Sequence, residues 1–493
     1  MGNVESLAYF IPELILSVAV LLAILADVFG SEREGLDAPG VIALVGTGLA
    51  FYFHFGLYNL APSPLFMGMI AHDMFSAFFR GFFLLSTLVV IVMTIYSHEV
   101  LYLKKGEFYA ILLSVCIGMC LVAAAQDLVM MYLALELMSI GSYILSGFSS
   151  KVGKSDEAAV KFVLYGGVST GIMLFGLTLL YGLTGSTSFS AIRGILAGAQ
   201  GVEPAVYTIF VLVMVGAGYK IAAVPFHFWA PDVYEGAPAP VTAYLSVASK
   251  GTGFALLIRF FFSTMIAPGD GGASWIELPN LHIDWTFHIA LLSAITMTAG
   301  NLGAIPQNNL KRLLAFSGIA HAGYLLMGVC VLSAQGMESV VFYLVAYLFT
   351  NLAAFSVIVI IVNAQGDERM ADVRGLWARA PYTAIAMTIA LISLIGLPPT
   401  AGFVGKWYLF IAVLNKNLYW LALIAVLNSV VSLYYYARII RAMFMDSPSI
   451  AQPMRVHPVY AGLLAALTIP VVYFGLFWDP LVRYAKMCAS LIK

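Results

Sequence analysis

Four ionisable side chains stand inside runs apolar enough to lie in hydrocarbon. Glu136 sits in MMYLALELMSIGSYIL, Lys220 and Lys250 flank VPFHFWAPDVYEGAPAPV, and Lys406 follows GLPPTAGFVG directly. A charge at the bilayer centre costs about 2.5 to 3.5 kcal/mol on insertion scales, and such residues usually face a bundle interior and mark ion pathways. Their chemistry is proton exchange: burial disfavours the charged form of a carboxyl or an amine, while an opposite charge nearby favours it. A desolvated lysine can give up its proton near neutral pH. If Glu136 pairs with Lys220, a proton arriving on Lys250 strengthens or weakens that pair, which makes a switch. Structural ion pairs and snorkelling side chains are the plainer alternative, and the residues alone leave it open.

Weaker candidates surround these four. His227 follows Pro225, and His321 lies in AFSGIAHAGYLLMG; a lone histidine on an apolar helix is more often a satisfied interior residue than a proton carrier. Tyrosine and serine groups could carry water between the charges. Asp232 and Glu235 read as caps of helix ends in the turn after the break, Lys161 pairs with Glu157 one turn away, and Arg80 pairs with Asp73 two turns away. Gly166, Gly167 and Gly171 suggest close helix packing rather than phosphate binding.

The elements that must hold these groups are membrane helices. Of 493 residues, 61% are hydrophobic and 10% are charged, with mean hydropathy +0.94; about 25% charged is usual for a soluble chain. The net charge of -1 and the missing basic patch argue against nucleic acid as a partner. Cys116 and Cys120 lie a turn apart and Cys330 and Cys488 stand alone, so they read as small packing residues rather than a disulfide framework. Heme or an iron-sulfur cluster would need histidine pairs or closely spaced cysteines. The first apolar stretch, from Leu7 to Phe29, lacks a positive leader and reads as a spanning helix rather than a cleaved signal.

At about 20 apolar residues per span, about fourteen helices are expected. They begin near Leu7, Pro39, Met74, Phe108, Asp127, Glu157, Tyr207, Pro240, Asp284, Asn309, Met337, Pro381, Leu418 and Pro458. Ser155, followed by Asp156 and Glu157, reads as the N-cap of the sixth. Loops of one parity hold Arg33, Lys104, Lys105, Lys151, Lys154, Lys311, Arg312, Arg369, Arg374, Arg379, Arg438, Arg441 and Arg455. The other parity holds Arg193 and Lys416, with Arg483, Lys486 and Lys493 on the tail. By the positive-inside rule the first set is cytoplasmic and both termini face out.

Two helices are interrupted. A proline removes a hydrogen bond and clashes with the preceding turn, so the seventh is expected to end or kink at Pro225 and the twelfth within Gly396-Leu397-Pro398-Pro399. In a membrane, freed backbone survives only inside protein or against a water-filled cavity. The breaks sit five helices apart, an odd number, so the units around them cross in opposite senses. That predicts inverted repeats with a site near the midplane: three N-terminal helices in 1–100, a first repeat of helices four to eight in 101–265, a second of helices nine to thirteen in 266–445, and helix fourteen with a tail in 446–493.

Three runs, VPFHFWAPDVYEGAPAPVTAYLSVASK, NLKRLLAFSGIAHAGYLLMG and GLPPTAGFVGKWYLF, resemble the antiporter-like membrane subunits of respiratory complex I, the proton-pumping NADH:quinone oxidoreductase. The resemblance covers essentially the whole chain and is strongest to the subunit N branch, the bacterial counterpart of mitochondrial subunit two. A glutamate is typical of the M branch where Lys406 stands, and the L branch carries a long C-terminal lateral helix. The mitochondrial form lacks the first three helices, so their presence points to a bacterial source. The resemblance implies an all-α polytopic membrane fold with two inverted five-helix repeats, one half-channel in each. It implies roles too: Glu136 as the carboxylate of helix five, Lys220 as its partner, Lys250 as central relay and Lys406 as the exit-side lysine.

It further implies a bacterial cytoplasmic membrane, no cofactor or metal in this chain, and no redox centre of its own. FMN, iron-sulfur clusters and quinone would lie in other subunits. The partners implied are adjacent antiporter-like and small membrane subunits, the peripheral redox arm and the lipid bilayer. A subunit of a multi-subunit cation/proton antiporter is the alternative, against which the wording around Pro238-Ala239-Pro240 counts. A purely structural spacer is the third.

Overall fold

Helix is the conformation that satisfies every backbone group within one apolar segment, and polar caps mark where several of these helices begin. Asp73, Asp127, Asp284 and Asn309 each accept a hydrogen bond from a backbone N–H in the first turn of the helix that follows. The structure, a computed structural model, describes residues 2–29, 37–58, 60–100, 105–149, 153–268, 275–278, 281, 283–448 and 452–489. Among the expected loop charges, Arg33, Lys104, Lys151 and Lys493 lie outside the described residues.

The crossing segments are α1 (Ile11–Phe29), α2 (Ala38–Leu57), α3 (Met74–Ile95), α4 (Lys105–Ala124), α5 (Leu128–Ser146) and α6 (Lys154–Thr184). Next come α7a (Glu203–Ile221) and α7b (Trp229–Gly236), then α8 (Ala239–Thr264), α9 (Trp285–Ala304), α10 (Leu310–Cys330) and α11 (Ala334–Gln365). The series ends with α12a (Pro381–Ile395), α12b (Ala401–Asn415), α13 (Tyr419–Phe444) and α14 (Pro458–Leu476), and a short surface helix, Asp479–Ala489, follows. Thirteen helices among the described residues are long and apolar enough to span. The twelfth crossing is made of two 15-residue halves, neither sufficient alone. The starts fall within a few residues of the expected ones.

Three local expectations need correction. The N-cap of α6 is Gly153, in a positive-φ conformation, and Ser155 Oγ instead donates to Ser146 O at 3.1 Å, tying α6 to the end of α5. Arg80 does not pair with Asp73: its Nε meets Glu13 of α1 at 2.7 Å, while Asp73 takes both terminal nitrogens of Arg259 at 2.6 and 2.8 Å. Helical spacing sees only neighbours on one helix, and these partners lie on others. Of Gly166, Gly167 and Gly171, only Gly166 is at a close approach, against the Tyr143 ring; a Cβ at Gly167 or Gly171 would meet nothing within 4 Å.

Burial sorts the helices into centre and rim. Every residue of the α8 span is buried, against 94% for α10, 89% for α11 and only 28% for α1. The centre is therefore α8, α10 and α11. Around it the packing recurs: α4 lies on α5, α6 on both halves of α7, and α8 against α4 and α7a; likewise α9 lies on α10, α11 on both halves of α12, and α13 against α9 and α12a. The two sets meet where α7b packs on α10 and α8 on α11.

Candidate functional site

The seventh helix stops earlier than proline alone would make it. Its last residue is Ile221, and Ala222 turns into the left-handed region at φ 58°, so the chain leaves the helix three residues before Pro225. The freed groups have named partners. Ala223 N donates to Gly218 O at 2.7 Å, Trp229 Nε1 to Tyr219 O at 3.0 Å, and Val224 N to Thr296 Oγ1 at 3.1 Å. These bonds meet the requirement that buried backbone be paired. The twelfth breaks at Gly396, φ 85°, where a Cβ would stand 2.7 Å from Lys406 Cδ, too close for a side chain.

Lys220, in the last turn of α7a, is 2% exposed and its Nζ has no hydrogen-bond partner among the described residues. The ammonium lies 5.4 Å from the ring centroid of Tyr143 and 5.3 Å from that of Tyr219, a cation–π setting. Glu136 is half-buried on α5, with Oε1 buried and unpartnered among the described residues. The two feel each other's charge, yet no N–O approach within 4.0 Å joins them. The direct ion pair that the sequence left open is not formed. Glu136 is set beside Tyr132, one turn back on its own helix, because residues four apart share a helix face.

Lys250 opens the second α-helical part of α8, directly after a π-helical turn, Leu245–Ser249, that follows the first, Ala239–Tyr244. Such a turn re-aims side chains and recurs at functional sites. Its Nζ donates to Gly318 O of α10 at 2.5 Å and lies 5.9 Å from the Tyr347 ring centroid. Gly318 leaves the room: a Cβ there would stand 2.6 Å from that nitrogen. Beside it, Ser317 Oγ contacts the Tyr436 hydroxyl, which lies 3.4 Å from His321 Nε2; His321 Nδ1 is 2.6 Å from the Tyr343 hydroxyl. His321 is 3% exposed and within electrostatic reach of both Lys250 and Lys406.

Lys406 lies on α12b and reaches back across the break. Its Nζ donates to Leu394 O at 3.1 Å and Ile395 O at 2.9 Å, with Ser429 Oγ at 3.4 Å and the Tyr324 ring centroid at 4.5 Å. Those carbonyls end α12a and carry its negative dipole. The Tyr324 hydroxyl is 3.0 Å from Ser429 Oγ. The ring centroids of Tyr324 and His321 are 6.0 Å apart. Between Lys250 and Lys406, then, lie two clusters of side chains able to give and take a proton: Ser317, Tyr436, His321 and Tyr343 beside Gly318, and Tyr324 with Ser429 beside Lys406, the His321 and Tyr324 rings separating them.

Not every expected residue joins this line. His227 is half-buried in the α7 break, packed on Phe228 at 4.4 Å between centroids, and contacts none of the lysines. Asp232 and Glu235 are not caps. They form the short α7b into an ion-pair cluster: Lys161 Nζ to Asp232 at 2.6 Å and to Glu157 at 2.7 Å, Lys154 to Glu235 at 3.0 Å, and Arg312 of α10 to Asp232 at 2.5 Å and Glu235 at 3.2 Å. The sequence reading named His321 but not Tyr324, Tyr343, Tyr436, Ser317 or Ser429. It also left Lys311 among loop charges, although its Nζ is buried against Ala237 O at 2.9 Å and Glu368 at 3.4 Å.

Residues 125–432 match the NADH:quinone oxidoreductase/Mrp antiporter transmembrane family. The chain is 41% identical to the NADH-quinone oxidoreductase subunit N of Anaeromyxobacter sp. (strain Fw109-5), covering 100% of this chain and 98% of that protein. It is 43% identical to subunit N 2 of Sorangium cellulosum (strain So ce56), with 100% and 99% covered. Among solved structures, a chain of respiratory complex I from Thermus thermophilus superposes with TM-score 0.79 at 29% identity, covering 96% of this chain and 98% of that one. A chain of the Mrp complex from Dietzia sp. DQ12-45-1b shares the fold, with TM-score 0.82 at 21% identity, covering 99% and 97%.

Proposed function

Because the chain belongs to the NADH:quinone oxidoreductase/Mrp antiporter family of membrane subunits, we propose that it is the subunit N that moves protons within a quinone-reducing respiratory complex. Its own part is non-redox. FMN, iron-sulfur clusters and quinone belong to other subunits, and quinone reduction there changes the field felt along the buried line. Protons pass between Lys250 and Lys406 by way of Ser317, Tyr436, His321, Tyr324 and Ser429, and the Glu136–Lys220 couple sets whether Lys250 is loaded. The observation that carries this reading is the run of proton-exchanging groups between two buried lysines, Lys250 on Gly318 O at one end and Lys406 on Leu394 O and Ile395 O at the other.

Two inverted repeats, 101–265 and 266–445, frame the line, with 1–100 and 446–493 outside them. The recurring neighbours of α4 to α8 and α9 to α13 support that division, as does a broken helix in the same place of each set. The basic loops mark the cytoplasmic side of a bacterial membrane and both termini face out.

The test is proton pumping by the assembled complex in vesicles. Glu136→Gln and Lys250→Ala are expected to cut it at least tenfold with the chain still present; wild-type rates in both at normal assembly remove the assignment. Co-purification separates this from a multi-subunit cation/proton antiporter: the expected companions are the redox subunits of the quinone oxidoreductase.

A further inference from the structure

Away from the lysine line, α2, α3, α11, α14 and the surface helix Asp479–Ala489 enclose a cavity of about 370 Å3 walled by Phe51, Phe78, Phe82, Leu348, Phe349 and Phe474. Among the described residues, only the side chains of His54, Tyr58 and Tyr484 bring polar atoms to it. The two tyrosine hydroxyls contact each other. His54 is 1% exposed and its Nδ1 has no partner among the described residues. A buried polar atom in an apolar wall costs free energy unless something meets it, so this nitrogen points to a ligand with a matching oxygen.

Depth narrows the choice. His54 stands three residues before the end of α2 at Leu57, or about 4.5 Å along the axis at 1.5 Å per residue. That is the level at which hydrocarbon gives way to headgroup, where tyrosines gather. The surface helix that supplies Leu481 and Tyr484 to the wall carries balanced charge nearby: Arg483 and Lys486 are exposed on it, Asp479 opens it, and Glu338 of α11 feels Lys486. An aromatic groove below and a single donor at the interface fit a diacyl lipid whose headgroup charge is not selected.

We propose that this groove holds one acyl chain of a membrane phospholipid, with an ester oxygen of that lipid accepting from His54 Nδ1–H. The site shares no residue with the lysine line.

The test uses the assembled complex carrying Phe51→p-benzoylphenylalanine, with Leu164, 62% exposed on α6, replaced likewise as a freely exposed control. Each is exchanged into lipid-free detergent, irradiated, and the mass of this chain measured. The expected result is an increment of one phospholipid at position 51, zwitterionic and anionic species appearing in their membrane proportions, and none at position 164. In the Phe51 background, Leu85→Trp, which fills the groove, should abolish the increment. His54→Phe, which keeps the ring but loses the donor, should lower it roughly three- to tenfold, as for one net hydrogen bond. Cross-linking to another subunit, no increment above the control, or an unchanged yield in His54→Phe overturns the proposal.

Discussion

The two broken helices carry the same kind of interruption and divide its work differently. In α7 the exposed end of the first half is served by an indole: Trp229 Nε1 takes Tyr219 O, and Lys220 is left with aromatic rings and no hydrogen bond. In α12 the lysine does that service, its ammonium bonded to the two last carbonyls of α12a. A cation on a helix C-terminus is held by both hydrogen bonds and dipole. Lys406 is therefore anchored, whereas Lys220 is free to answer the charge of Glu136. Their surroundings differ in kind as well: near Lys220, α5 contributes the carboxylate of Glu136, and near Lys406, α10 contributes His321.

That contrast can be broken or sharpened by substitution. The largest effect is expected at Lys250, which stands between the two breaks: Lys250→Ala should lower pumping in vesicles by about 100-fold, within the range for losing a positioned acid or base. Next, Lys406→Met strips the donor from two buried carbonyls and should cost about 2 kcal/mol, read as earlier loss of the chain on heating. Lys220→Met removes no hydrogen bond and should leave thermal stability unchanged while pumping falls about tenfold. If both lysine variants lose the same stability, the difference between the breaks is not one of anchoring. Smaller is Tyr436→Phe, which removes one hydroxyl between Ser317 and His321 and should slow pumping a few-fold with assembly intact. Trp229→Phe should be smallest, about 1 kcal/mol for the indole bond at Tyr219 O.

Most of the architecture was legible because hydropathy in a membrane is a one-dimensional signal: a run of about 20 apolar residues is a helix or it is nothing. The breaks were legible too, from Pro225 and from Gly396 to Pro399, although α7a ends at Ile221 because Ala222 takes the left-handed conformation. Buried charges announce themselves for the same reason, and Glu136, Lys220, Lys250 and Lys406 stood out at once. What hydropathy could not give was partnership. Arg80 meets Glu13, 67 residues away, and Lys250 meets a backbone carbonyl; neither leaves a spacing rule to read. The tyrosines of the line are hidden by their own ordinariness, since Tyr324, Tyr343 and Tyr436 look like any interfacial or core aromatic until the fold brings them to His321. Asp232 and Glu235 were misread as caps because a cap is a local feature, and Arg312 reaches them from another helix.

The account rests on protons moving through the buried groups between Lys250 and Lys406. The most direct measurement is the initial rate of proton pumping by vesicles holding the assembled Lys250→Ala complex, at a content of this chain equal to wild type. A rate reduced by about 100-fold is predicted. A wild-type rate contradicts the account.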